Sequence, residues 1–447
     1  MKTVYFYKRK REARNGKQEI GSGKREVGHR SREVGREKWD VSGRSLALTN
    51  IKSYFLTPTS YFLTIFLTVI SFFASSPAMA DGQWMHRSET VQETVAISNT
   101  ATVEITNKYG RIQIDTWDKD SLSIEVNITA QARNFDKVER IMNKINIDMN
   151  TDSEDFMIFR TEIGNGKRRG GGILSFFQDL WDDTSDLTSS LLNTQNVTVD
   201  YRLYMPESVK LTIENKFGDV ILPTMKGALR MDIEHGDLRA QEIWNARNVK
   251  AKYGKLDVKN IRQGNLTLSF VDAVIESGGS LQVESRSSNI NLEEVESLEV
   301  DAHYDEWYIG SAENVNGSQV STDLRVRNLS NSIDLTSKYG SVDVAHVEPK
   351  VKSVNLYGNY TDYSLSFNPS VSYNFNVTLK DKDSFYFPEK QADIDTDDIS
   401  EEGMRHIDGR MKSSKESYDL TQNQNGGKGT DVRIKTKNGS VHMSYSK

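Results

Sequence analysis

Glycine returns on a fixed beat through the centre of this 447-residue chain: Gly218, Gly236 and Gly254 are each 18 residues apart (236−218 and 254−236). The beat continues at Asp272, Asn289, Asp305, Asp323, Gly340 and Gly358, with steps of 16 to 18 residues. Glycine, asparagine and aspartate are the residue types that tolerate a left-handed backbone, so each beat predicts a left-handed turn. Short alternating apolar runs flank the turns. Leu211 and Ile213, then Val220 and Leu222, bracket Gly218. Leu229, Met231 and Ile233, then Leu238 and Ala240, bracket Gly236, and Val249, Ala251, Leu256 and Val258 repeat the pattern around Gly254. Leu281 and Val283, then Ile290 and Leu292, do the same around Asn289. A period of two inside a period of about eighteen reads as strand, turn and strand, stacked repeatedly. The expected fold class is all-β: a β-solenoid, or single-stranded β-helix, with coils of about 18 residues.

A solenoid core is thin, which suits a hydrophobic content of 36%. Nine beats at strand spacing would make a rod of roughly 40 Å. Seven prolines in the whole chain leave long hydrogen-bonded ladders uninterrupted.

The N-terminus speaks to the compartment. Residues 61–74 are almost wholly apolar, and Ala78-Met79-Ala80 before Asp81 matches a signal-peptidase site. Fourteen residues are short for a membrane span, which needs about 20. A signal peptide over 53–80 is therefore expected, with no stable membrane span after its removal. Residues 1–52 form a basic, disordered leader, and translation starting near Leu48 or Ile51 would make that leader a miscalled start. The leader carries a net charge of +9, so the exported chain would carry −15 against −6 for the whole. A strongly acidic chain is repelled by nucleic acid and anionic lipid. The absence of cysteine excludes disulfides, thiolate metal sites and a lipidated cysteine.

Residues 81–206 read as an N-terminal β section. Its strands fall over 91–97, 102–107, 111–116, 121–130, 145–150 and 197–205, with a short helix over 135–144. The solenoid proper is expected over 207–380. Residues 381–447 read as a polar tail closed by a β-hairpin around Lys437-Asn438-Gly439, since Asn-Gly between alternating runs is a strong hairpin signal. An insertion over 164–195 breaks the pattern. There Phe176, Phe177, Leu180 and Trp181 share one face of an amphipathic helix behind a glycine-rich leash. It is either a cap over an open end of the solenoid or a partner-binding element; disorder is the third reading.

Catalytic chemistry is sparse. The seven histidines show no metal-ligand spacing, and no nucleophile elbow occurs. Asp393-x-Asp395-x-Asp397 starts like a calcium loop but lacks its later glycine and glutamate. No metal and no cofactor are expected. Asp301, His303, Asp305 and Glu306 form the best enzymatic candidate. Alternation would place the first three on one side, as in solenoid polysaccharide lyases and hydrolases, although Asp305 is already explained as a turn residue.

Aromatic residues recur at the beat: Tyr109, Phe217, Tyr253, Tyr304, Tyr339 and Tyr357, often after a lysine such as Lys108, Lys216, Lys252 or Lys338. Stacked coils would set several in a ladder. Such a ladder either fixes coil register or binds sugars by ring stacking. The ligand-binding candidates are Tyr253, Tyr304, Tyr339 and Tyr357. The structural turn residues are Gly110, Gly218, Gly236, Gly254, Gly340 and Gly358.

The segments Ile105–Trp117, Ile213–Ile221, Val249–Val258 and Ser337–Val344 share an Asn/Ala/Ser-Lys-Tyr/Phe-Gly turn between apolar pairs. In this they resemble the "putative adhesin" domains of unknown function in secreted Bacteroidetes proteins, which are similar to adhesin-head GIN domains. The resemblance spans roughly residues 90–380. It implies a right-handed β-helical fold and an adhesive or envelope role, and it offers no catalytic residues. The expected function is that of an exported, non-enzymatic protein binding a cell-surface, envelope or glycan partner through its lateral face. A polysaccharide-processing enzyme and a periplasmic structural or sensory module are the alternatives. The destination is the periplasm, the cell surface or the medium.

Overall fold

The computed structural model describes residues 84–163, 197–380, 384–400, 403–413 and 430–446. The expected leader, the signal peptide and the inserted helix with Phe176, Phe177, Leu180 and Trp181 lie outside these residues. Described residues are all-β: strands join in one long open sheet, with a single α-helix among them.

The central strands are β8 (Lys210–Lys216), β9 (Val220–Leu222), β10 (Met225–Glu234), β11 (Leu238–Arg286), β12 (Asn289–His303), β13 (Glu306–Val347) and β14 (Ser353–Phe367). Successive runs pair in parallel: Ile213 with Met231, Met231 with Val249, Ala273 with Ile290, and Ile290 with Trp307. Turn-to-turn hydrogen bonds join residues 17 or 18 apart. β11 and β13 are 49 and 42 residues long, yet β11 does not run straight. Tyr253 and Phe270 both belong to β11 and stack with ring centroids 5.1 Å apart. A straight strand would separate them by more than about 50 Å. Strict alternation explains the core. In β10 and β11 the residues Leu229, Met231, Ile233, Leu238, Val249, Leu256 and Val258 are buried while their neighbours face outward.

Antiparallel strands close both ends. The N-terminal strands are β1 (Met85–Ala96), β2 (Thr102–Lys108), β3 (Ile112–Thr116), β4 (Ser121–Ala132), β5 (Ile145–Ser153), β6 (Phe156–Ile163) and β7 (Val197–Met205). β2 and β3 join β8 and β9 in parallel. Outside β3 come β7 in parallel, then β4 and β1 antiparallel. Outside β2 come β6 in parallel and β5 antiparallel. Helix α1 (Phe135–Met142) buries Val138, Ile141 and Met142, and its Asn134 cap accepts the Lys137 backbone N–H. At the far end β15 (Tyr373–Leu379) is followed by β18 (Arg405–Met411) and β17 (Ala392–Ile399), both antiparallel, while β16 (Phe385–Tyr386) ends the other side. Exposed parallel edges invite chain association; a short edge strand rich in charge, such as β17 with its four aspartates, blunts that edge.

The tail differs from expectation. β19 (Thr430–Thr436) and β20 (Val441–Tyr445) exist, but they do not form a hairpin with each other. They lie in parallel on the two halves of β14, with Leu356 against Ile434 and Leu365 against Met443. The reason is burial: Val432, Ile434, Val441 and Met443 continue the inner columns of the stack. Asn438-Gly439 turns above Asn359, to which Asn438 donates at 3.0 Å.

The turn glycines also differ. The left-handed residues are Tyr109, one place before Gly110; Phe217, His235, Tyr253, Phe270, Ser287, Tyr304, Ser321 and Tyr339, one or two places before a beat; and Tyr360, two places after Gly358. Among the beat glycines only Gly340 has a positive φ, at 110°. Gly218, Gly236 and Gly254 are glycine because backbone lies against them. A Cβ on Gly254 would stand 2.1 Å from the Gly236 carbonyl oxygen, and one on Gly236 would stand 2.0 Å from that of Gly218. Gly110 meets the Val199 carbonyl in the same way, and Gly358 is pressed by the Tyr363 hydroxyl.

Gly254→Ala is therefore expected to destabilise the protein by about 1–3 kcal/mol, the range for forced overpacking. Urea unfolding checks this, and an unchanged midpoint would refute the close approach. A pH effect follows from Glu214, which lies beside Thr106 and Asp232 in the ladder. Burial, with the charges of Asp232 and Glu104, pushes its carboxyl up to about 7. Its folded value lies above its unfolded one, so the native state holds the extra proton. Stability should fall as pH rises through roughly 4.5 to 7. Glu214→Gln is expected to melt higher than the parent at pH 8 and alike at pH 4. Equal melting differences at both pH values would contradict it.

Candidate functional site

The left-handed turns line up one above another and carry a column of rings. Tyr109 stacks on Phe217 (centroids 5.4 Å), Phe217 on His235 (5.0 Å), His235 on Tyr253 (4.8 Å) and Tyr253 on Phe270 (5.1 Å). Further along, Tyr339 stacks on Tyr360 at 5.3 Å. The geometry follows from the backbone. Identical turns repeat at strand spacing, about 4.8 Å, so side chains at the same turn position must stack. Each left-handed non-glycine residue costs roughly 1–2 kcal/mol, and each ring pair returns about 0.5–1.5 kcal/mol.

Buried amides hold the first turns from beneath. The Asn107 side chain donates to the Gly110 and Val199 carbonyls, and Asn215 donates to those of Gly110 and Gly218. Basic residues flank the rings. The Lys108 ammonium lies 4.8 Å from the Tyr109 centroid. Burial, aided by the neighbouring Lys216 charge, lowers its pKa. Lys216 pairs with Glu234 at 2.6 Å. Lys338 sits 5.2 Å from the Tyr339 centroid.

Serine interrupts the column at Ser287 and Ser321, which share the left-handed backbone (φ 50° and 52°). Tyr304 stands between them, with its layer joined to theirs by Ser287 N–H to His303 and Tyr304 N–H to Val320 hydrogen bonds. Its residue is 58% exposed. Inside the column each ring face is covered by the next ring. At the serines the faces of Phe270, Tyr304 and Tyr339 lose that cover. Two strand spacings separate Phe270 from Tyr304, and Tyr304 from Tyr339, or roughly 10 Å each. A flat ring in van der Waals contact on both sides needs about 7–8 Å. The Arg286 guanidinium lies 5.9 Å from the Tyr304 centroid, at the edge of the Ser287 gap.

Of the sequence candidates, Tyr253 lies in the closed part of the column, while Tyr304 and Tyr339 border the gaps. Tyr357 stands elsewhere: it pairs with Thr336 and Lys435, and Tyr360 is the ring that meets Tyr339. His235, Phe270 and Tyr360 escaped the sequence reading. The first two sit at the repeat spacing of 18 and 17 residues (253−235, 270−253) and could have been found by counting from the aromatic residue rather than from glycine.

The enzymatic candidate comes apart. Asp301 and His303 face outward, 3.4 Å apart, whereas Asp305 is buried. The left-handed Tyr304 between them reverses the alternation. Asp305 accepts from the Ser285 hydroxyl and from the Ser288 and His303 backbone N–H groups at 2.7–2.8 Å. Burial raises its pKa against the pull of those bonds. It holds a turn and cannot reach a substrate. Asp393, Asp395 and Asp397 lie along strand β17, where Asp393 pairs with Lys412 and Asp397 with Arg405. Extended backbone does not wrap an ion. Among the described residues no cluster of three metal-ligating side chains occurs, and no helix is long and apolar enough to cross a membrane.

No family model and no curated protein matches the chain. Solved structures do. The chain is similar to a "putative adhesin" from Bacteroides fragilis NCTC 9343, with 13% identity and a TM-score of 0.29 over 64% of this chain and 98% of that one. It is similar to a "putative adhesin" from Parabacteroides merdae ATCC 43184, with 9% identity and a TM-score of 0.26 over 64% and 97%. It is also similar to a "putative lipid binding protein" from Parabacteroides distasonis ATCC 8503, with 10% identity and a TM-score of 0.29 over 64% and 97%. These structural neighbours include Bacteroidetes proteins of the kind that the repeat motifs resemble.

Proposed function

We propose that the chain is an exported, non-enzymatic adhesive protein that holds a cell-surface glycan in the gaps of its aromatic column. On this reading the parallel runs from 207 through the tail strands wind as a β-solenoid with coils of about 18 residues. Its sense is right-handed, as for nearly all parallel crossovers. The single observation that carries the functional reading is the pair of gaps beside Tyr304. A column complete from end to end would be explained by register alone. One interrupted at Ser287 and Ser321 leaves ring faces without a ring neighbour, at a spacing that suits one inserted ring. A sugar has an apolar C–H face that gains from burial against an aromatic ring, and hydroxyls at its rim for Ser287, Ser321 and Arg286. Export rests on the signal-like segment ending at Ala80; an intact mass beginning at Asp81 checks it.

The functional test is to close a gap. In Ser321→Tyr the new ring completes the stack between Tyr304 and Tyr339. The variant is expected to melt no lower than the parent and to lose at least tenfold in affinity for whichever glycan the parent binds on an array. Tyr304→Ala should lose binding as well. Release of cleaved product from the parent would favour the polysaccharide-processing enzyme instead. Silence of the parent on every glycan would contradict the adhesive reading and favour a structural or sensory module.

A further inference from the structure

Half a repeat away from the aromatic column, a groove of about 430 Å³ is lined by Arg230, Asn245, Arg247, Gln263, Asn265 and Ser280. It is polar and open. Its shape has a local cause. In the parallel pairing of β10 with β11, Leu229 lies opposite Ala246 but Arg230 lies opposite Asn248, so Arg247 is an extra residue in the ladder. A bulge of this kind bends the strand and re-aims one side chain, and such bulges gather near functional sites. Here the re-aimed side chain is an arginine beside a second one.

Neither arginine is spoken for. Lys226 and Arg262, on the neighbouring turns, pair with Glu207 and Glu242 and flank the Trp244 ring at 5.1 and 3.7 Å. Arg230 and Arg247 are exposed, and among the described residues neither has a carboxylate partner. The whole chain has a net charge of −6, so two adjacent unpaired guanidinium groups are a local exception. A guanidinium fork matches an oxyanion in a bidentate manner. The amides of Asn245, Gln263 and Asn265 and the Ser280 hydroxyl each both donate and accept, which suits sugar hydroxyls. Nucleic acid would call for a longer basic track.

We propose that this groove binds an acidic saccharide, with Arg230 and Arg247 on its carboxylate or sulfate and the amides on neighbouring hydroxyls. The proposal extends the reading of the molecule as a glycan-binding protein, but it rests on different residues from the column. Its test is titration calorimetry of the exported chain with three probes: oligogalacturonate, a dextran sulfate fragment and neutral maltoheptaose. One or both anionic probes should bind and the neutral probe should not enter the groove; which anion wins separates carboxylate from sulfate. Arg230→Ala and Arg247→Ala should each weaken anionic binding at least tenfold, and Arg247→Lys by less, with melting temperatures unchanged because both side chains are exposed. The Ser321→Tyr variant should bind the anionic probes like the parent. Failure of both anionic probes, full binding by the double alanine variant, or capture of anionic lipid vesicles in place of the saccharide would overturn the proposal. Anionic binding lost in Ser321→Tyr but kept in the arginine variants would place the ligand on the column, overturning the groove alone.

Discussion

A carbonyl oxygen pressed against a glycine Cα is the contact on which the central structure depends. It recurs from Val199 over Gly110 through Gly110 over Gly218, Gly218 over Gly236 and Gly236 over Gly254. Parallel strands can lie at their hydrogen-bonding distance only if the turns joining them also nest at that distance. Any side chain on these glycines would push adjacent turns apart and break the ladders on both sides. The inner apolar columns then follow, because alternation in a parallel register puts like residues over like. Where glycine is absent, side chains take over: Asp305 gathers Ser285, Ser288 and His303, and the Thr322 hydroxyl accepts the Asp305 backbone N–H at 3.2 Å.

The same nesting generates the candidate site. A left-handed residue directs its side chain outward at the turn, and nested turns set these side chains one strand spacing apart. Aromatic rings convert that spacing into stacking, which offsets part of the backbone strain. A serine at the same position keeps the backbone and surrenders the ring. Ser287 and Ser321 thus remove a ring without disturbing the stack beneath, a division between scaffold and outer surface that repeat architectures permit.

The all-β class and most of the N-terminal strands were legible because period-two alternation is a local signal. Glycine was misread as the left-handed residue because it is the ordinary choice there; its real duty, accepting a neighbouring backbone, depends on a chain segment 18 to 108 residues away. His235 and Phe270 lie outside the aromatic set that the glycine beat picks out: one ring is an imidazole, and no glycine follows the other. The Asn438-Gly439 turn looked like a hairpin because local turn chemistry does not reveal what its flanking strands lie upon. The antiparallel strands at both ends and the Arg247 bulge were equally hidden, since both are set by pairing partners remote in sequence. Strand β6 (Phe156–Ile163) was missed although its alternation is clear.

The register of the parallel stack is the central claim, and the absence of cysteine makes it directly measurable. Glu284 and Asp301 are exposed and lie opposite each other, and Asp301 in turn lies opposite Ser318. Cysteines one strand spacing apart are within disulfide reach, and those two spacings apart, roughly 10 Å, are not. Mild oxidation of the Glu284→Cys/Asp301→Cys variant should yield an intramolecular disulfide, seen as a mass loss of two hydrogens in the folded protein. The Glu284→Cys/Ser318→Cys variant should yield none. A disulfide in the second pair, or its absence in the first, would contradict the register on which the column, its gaps and the groove all stand.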